Sequence, residues 1–162
     1  MKSKIFVLIL SVFFVLGCTQ VSRVKVLPTK KNTLAVIPFE NYTVTPLAGY
    51  RVASILEGVL RSKGYKVLNR VWSYSDQEPT EADFKKWWNK AIKEGATLIV
   101  YGSVNEFRYK TGIDGEPAVS VTVYFYNVNT KKVVWSATLS KSGLSFQSLG
   151  TVSQELFDKI FK

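Results

Sequence analysis

Three carboxylates in one short stretch are the residues best placed to do chemistry. Glu106, Asp114 and Glu116 fall within Glu106-Phe-Arg-Tyr-Lys-Thr-Gly-Ile-Asp-Gly-Glu-Pro117. Two neighbouring carboxyl groups can divide general acid and general base roles, as in glycoside hydrolysis. These acids, however, sit around a turn bounded by glycine and proline, where carboxylates are ordinarily solvated. The chain has no histidine and one cysteine, so neither a Ser-His-Asp nor a Cys-His arrangement can form, and no soft metal site is expected. Gly102 and Gly112 stand alone, and no phosphate-cradling GxxxxGK[ST] or GxGxxG sequence occurs. The reading is a non-enzyme without cofactor or metal.

The cysteine itself has a definite chemistry. Met1-Lys-Ser-Lys4 is a positive start, and Ile5 to Leu16 is apolar apart from Ser11. That run is too short for a permanent bilayer span and reads as a secretory signal covering 1–17. It ends in Val15-Leu16-Gly17-Cys18, which resembles the bacterial lipobox. Small residues before the cysteine let the signal peptidase take the chain extended, and the Cys18 thiol then receives the diacylglycerol. Each buried methylene adds about 0.8 kcal/mol, so several acyl chains on one cysteine hold firmly in outer-membrane lipid. Thr19 follows, and the lack of aspartate there favours sorting to the outer membrane. With no second cysteine, the fold must stand on its core alone in an oxidising compartment.

A chain of 162 residues with 46% hydrophobic and 14% aromatic content supports one domain with a real core. The formal charge is +10, and setting aside Lys2 and Lys4 in the leader leaves +8. Such a balance suits nucleic acid, an anionic surface or a solvated lysine-rich exterior. The basic residues are scattered and not striped, which favours the solvated exterior and no nucleic acid partner.

Positioning falls to an α/β domain over 33–162, preceded by the lipidated cysteine and a polar tether over 18–32. Thr33-Leu-Ala-Val-Ile-Pro-Phe39 reads as a strand that Pro38 ends. Thr45 then caps a helix with Pro46 in its first turn, and Val52, Ile55, Leu56, Val59 and Leu60 form its apolar stripe. Gly64 stops that helix, and Tyr65 to Asn69 gives a short second strand. Thr80 and Asp83 have capping-box spacing ahead of Phe84, Trp87, Trp88, Ala91 and Ile92. Three strands follow. Leu98 to Tyr101 is continuously apolar, whereas Val119 to Phe125 and Val133 to Leu139 alternate with polar residues. Ser145 opens a last helix with Leu149, Val152, Leu156 and Ile160 on one side. The order is β-α-β-α-β-β-β-α, a mixed sheet with a C-terminal antiparallel meander flanked by helices.

Aromatic residues divide by context. Trp135 shares parity with core positions, and one of Trp87 and Trp88 packs inward while the other lies at the helix edge. Trp72 and Tyr74 lie in a loop without apolar period, which makes them candidates for membrane or subunit contact. A satellite cluster beneath that loop is an equal alternative.

The lipobox, LAVIPFENYTVTPLAGYRVASIL, GATLIVYGSVNEFRYKTGIDGEPAVSVTVYFYNV and VVWS together resemble the PelC family of Pel polysaccharide export lipoproteins. EFRYKTGIDGEPAVSV is the most specific piece, and the likeness spans the mature chain. More loosely, the chain is similar to lipoprotein domains of the curli secretion channel and of penicillin-binding-protein activators. The resemblance implies a homo-oligomeric ring, a dodecamer, under the outer membrane, which guides a cationic exopolysaccharide to an outer-membrane β-barrel porin. It makes Glu106, Asp114 and Glu116 candidates for the polymer path and gives Arg108 a carboxylate partner within or between subunits.

A second hypothesis is a periplasmic lipoprotein that binds and activates a cell-wall synthase. Thr19 to Asn32 would extend at most roughly 50 Å, which favours a domain held close to its membrane instead. A glycan hydrolase rests on the clustered carboxylates alone.

Overall fold

The computed structural model describes the backbone of residues 19–23 and, with side chains, residues 27–112 and 115–161. Cys18 and Asp114 lie outside the described residues. The strands are β1 (Thr19–Arg23), β2 (Thr33–Val36), β3 (Glu40–Asn41), β4 (Lys66–Val67), β5 (Leu98–Tyr109), β6 (Pro117–Asn127) and β7 (Lys132–Ser142). The helices are α1 (Ala48–Ser62), α2 (Glu81–Lys93) and α3 (Leu149–Asp158). One sheet orders the strands β1-β7-β6-β5-β2-β4, with β3 also pairing β5. β2 runs parallel to β4 and β5, and β5, β6, β7 and β1 alternate in direction. The expected α/β plan with its meander is the observed one.

Helices α1 and α3 lie together on one face of the sheet. Val52, Leu56 and Leu60 of α1 and Val152, Leu156 and Phe157 of α3 are fully buried there. Trp135 is core, as its parity predicts, and meets Phe125 edge-on at 5.1 Å between ring centroids. Phe39 is buried where two backbones close on it. A Cβ at Gly49 would lie 1.9 Å from the Phe39 carbonyl oxygen, and one at Gly102 would lie 1.8 Å from that of Thr122. Glycine is required at both positions because no side chain fits the approach.

Several boundaries differ from the sequence reading, each for a local reason. Thr19–Arg23, expected within a tether, pairs antiparallel with Ala137–Lys141 as β1 and covers what would otherwise be an open edge of β7. Thr45 does not cap α1. Its hydroxyl donates to the Phe107 carbonyl, and Leu47 takes the cap position at φ 59°. Glu78, in the loop before α2, fixes this entry by receiving the Leu47 N–H at 2.6 Å and the Asn41 amide at 2.7 Å. The last helix is capped by Ser148 in place of Ser145, its hydroxyl accepting the Thr151 N–H at 3.1 Å. A register shift inserts Val134 opposite the Phe125–Tyr126 step, so Val133 and Val134 are both about half exposed and Val133 leaves the inward parity.

α2 begins as its residues predict. The Thr80 hydroxyl accepts the Asp83 N–H, and the Asp83 carboxylate accepts the Thr80 N–H at 2.9 Å and hydroxyl at 2.7 Å. Those bonds from Thr80 hold the Asp83 carboxyl below its usual range.

Candidate functional site

The β5–β6 hairpin carries the acids singled out above. Its strands stay paired to Tyr109 opposite Pro117, and the Lys110 N–H then donates to the Glu116 carbonyl at 2.8 Å. Each described acid has a cation from the same hairpin. Arg108 Nε meets the Glu106 carboxylate at 3.0 Å, and Lys110 Nζ meets Glu116 at 3.3 Å. Arg108 thus finds its partner within the chain. Both pairs are substantially exposed, so water screens them and they contribute only about 0–1 kcal/mol. A carboxylate held this loosely can exchange its partner for an incoming ammonium group.

A further acid joins this region that sequence spacing does not reveal. β3 pairs parallel with β5 and sets Glu40 opposite Ser103. Glu40 is exposed and accepts the Tyr42 hydroxyl, and its carboxylate pushes the Tyr42 phenol above its usual range. The signal is faint in sequence because a two-residue strand has no period.

The loop before α2 separates Trp72 from Tyr74. Trp72 is only 5% exposed, and its indole N–H donates to the Val36 carbonyl at 3.1 Å. The Arg70 guanidinium stacks on the ring at 4.2 Å, and Arg70 Nε also holds the largely buried Glu57 carboxylate at 2.9 Å. Trp72 is therefore a core residue rather than a contact residue, because a backbone carbonyl of β2 takes its N–H inside the fold. Tyr74 is 68% exposed and, with Tyr50, Arg51, Arg70 and Tyr109, lines an open cavity of about 590 Å³. Burial raises the Tyr50 phenol first, with the Asp83 charge adding to it.

The register of β1 decides which end of the domain lies nearest Cys18. Thr19 pairs with Lys141 at the end of β7, so Cys18, one residue earlier, is tied by about 3.8 Å of chain to that end. The same end carries the start of β6, where the Gly143 N–H donates to the Pro117 carbonyl at 2.8 Å. Phe146, 82% exposed, lies in the following loop, and the sequence reading does not single it out although an isolated phenylalanine between Ser145 and Gln147 is a legible signal. Among the described residues no group of three or more metal-ligating side chains occurs, and no helix is long and apolar enough to cross a membrane.

No family model matches the chain, and no curated protein does. Solved structures do. A PelC dodecamer from Paraburkholderia phytofirmans is 34% identical over 88% of this chain and 94% of that one, with a TM-score of 0.72. A single-substitution variant of that dodecamer, in another crystal form, is 32% identical over 90% and 95%, with a TM-score of 0.73. The lipoprotein GNA1162 from Neisseria meningitidis shares the fold, at 16% identity over 80% and 97% and a TM-score of 0.54.

Proposed function

The chain belongs to the PelC family, and from that membership we propose that it is an outer-membrane lipoprotein subunit of a Pel-type exopolysaccharide secretion apparatus. In this reading it is not an enzyme. The match over nearly the whole of a dodecamer-forming relative is the observation that carries it. Cys18 bears the lipid, and copies of the domain close into a periplasmic ring that delivers a cationic polymer to an outer-membrane barrel. The β1 register supports the orientation, since the lipid-bearing end and the β5–β6 hairpin end coincide. Glu106, Asp114 and Glu116 would then stand near the exit, where the polymer meets the barrel.

Guiding requires contacts that are made and released easily. The pairs Glu106–Arg108 and Lys110–Glu116 are solvent-screened, so replacing the lysine or arginine with a polymer ammonium costs little. Repetition around a ring multiplies such weak contacts without creating a trap. The chain's excess of lysine and arginine would then lie away from the polymer, on surfaces without these acids. Tyr74 and Phe146 would serve contact with a neighbour or with the membrane.

The alternative of a synthase activator is weakened by β1. With Thr19–Arg23 held in the sheet, Cys18 adjoins the domain directly with no tether between them, and the domain stays at its membrane. Native mass spectrometry of the mature protein released from detergent tests the proposal. It should give a closed multimer of many subunits, and a strict monomer at every protein concentration would refute it.

A further inference from the structure

The sheet has two unlike faces. α1 and α3 bury one of them in apolar side chains. On the other, α2 covers one end through Trp88, which meets Tyr126 at 4.9 Å and Tyr101 at 5.4 Å between ring centroids. Past Trp88, the register brings Tyr101 opposite Tyr124, Ser103 opposite Thr122 and Glu106 opposite Ser120. β7 continues the rows with Thr138 beside Thr122 and Ser140 beside Ser120. All of these side chains are half-buried or exposed.

The chemistry of this face is unlike that of a surface awaiting a second apolar layer. Its centre is a ladder of hydroxyl rungs across the strands. Ser120 and Ser140 share a hydrogen bond of 2.8 Å, Thr122 and Thr138 one of 3.2 Å, and the Asn105 amide donates to Thr122 at 3.1 Å. A hydroxyl has one donor and two acceptor positions, so each rung keeps capacity for a ligand. At one end Tyr101 and Tyr124 lie 5.2 Å apart with their rings inclined by 33°, offering flat apolar surface with polar tips. At the other end stands Glu106, with Arg108 as its partner, and Glu40 flanks the middle from β3. Carboxylates outnumber cations among these positions, although the chain as a whole carries +10.

Flat apolar ring faces, many hydroxyls and amine cations are the three features of a hexosamine chain. We propose that this hydroxyl-laddered sheet face is the track on which the polymer lies, running from the Tyr101–Tyr124 end to Glu106. The inference rests on the export reading above and names its ligand surface. On β6 the track runs only from Tyr124 to Ser120, so it is about 15 Å long and holds a few sugar units at once. Stacking would come from the tyrosines, hydrogen bonds from the rungs, and charge from Glu40 and Glu106. The track then delivers the chain to the end of the domain that carries the lipid.

The test uses the mature protein in detergent and glucosamine-containing chito-hexamers as probe, with polylysine of matched charge as control. Calorimetry should show hexamer binding that Tyr124→Ala weakens more than tenfold and Thr122→Val weakens several-fold. Native mass spectrometry should show both variants still assembled. Equal binding by wild type and variants, or polylysine binding that falls in parallel with hexamer binding, would overturn the track. So would loss of assembly in both variants, since the face would then be the contact between copies of this chain. Secretion in cells separates this from the broader reading. If loss of the protein stops secretion while Tyr124→Ala with Thr122→Val secretes normally, the track fails and export stands. If loss of the protein leaves secretion intact, the export reading fails and takes the track with it.

Discussion

Replacing Trp72 and Tyr74 one at a time separates core from contact within a single loop. A tryptophan side chain buries roughly 150–250 Å², and Trp72 leaves 5% of its surface exposed. At about 25 cal/mol per Å² its full burial is worth about 4–6 kcal/mol, of which alanine would retain a part. The indole bond to the Val36 carbonyl contributes about 1 kcal/mol more. Trp72→Ala should therefore cost about 4 kcal/mol, within the usual range for such a truncation. At about 3 °C per kcal/mol for a chain of this size, the melting temperature should fall by about 12 °C. Tyr74 is 68% exposed and touches Tyr50 at 5.7 Å, so Tyr74→Ala should cost about 1.5 kcal/mol at most and lower melting by about 4 °C. Its larger effect should fall on assembly or membrane partition, which Trp72→Phe should leave alone. Differential scanning calorimetry beside native mass spectrometry reads both. A Trp72→Ala protein that melts within about 2 °C of wild type but fails to assemble would refute the assignment of Trp72 to the core.

Four further outcomes are expected. Cys18→Ser should accumulate an unprocessed precursor or release the protein from the outer membrane, and unchanged processing and fractionation would end the lipidation assignment. Asp114→Asn with Glu116→Gln should leave melting nearly unchanged, because the Glu116–Lys110 pair is exposed and worth under about 1 kcal/mol. The same variant should secrete less polymer, and normal secretion would remove the turn from the path. Gly102→Ala must part β5 from β6 to clear the Thr122 carbonyl, costing about 2–3 kcal/mol by thermal melting, and an unaltered melting temperature would contradict the close approach. The Asp83 carboxyl is held below its unfolded value of about 3.9, so its contribution is fully present above pH 4 and lost as pH falls through the lowered value. Asp83→Asn should accordingly flatten the acid limb of melting temperature below about pH 4, and an unchanged limb would argue against the capping box as its source.

The sequence by itself determined what depends on short-range pattern. Val119, Val121, Val123 and Phe125 alternate because successive strand side chains face opposite ways, and all four are buried. Thr80 and Asp83 cap α2 because their spacing lets each bond the other's backbone. Trp135 follows its parity into the core, and the continuous apolar run from Leu98 to Tyr101 reads as a strand covered on both faces, with Leu98, Ile99 and Val100 buried. The dense residue matches to the PelC family likewise need no coordinates.

Tertiary structure decided everything that depends on which distant segments meet. Glu78 reaches from the loop before α2 to the Leu47 N–H at the start of α1, which Thr45 does not cap because its hydroxyl donates to the Phe107 carbonyl. Trp72 goes inward because Val36, thirty-six residues earlier, offers a carbonyl there, while Tyr74 has no such acceptor and stays out. Glu40 reaches the polar sheet face beside Ser103 through a two-residue strand too short to show any period. Thr19–Arg23 carries no strong pattern, yet the open edge of β7 takes it up and so fixes which end of the domain Cys18 adjoins. Local period dictates which way a side chain points along its own strand or helix. It holds no information on pairing partners, and those set both the polar face and the end of the domain at which Cys18 enters.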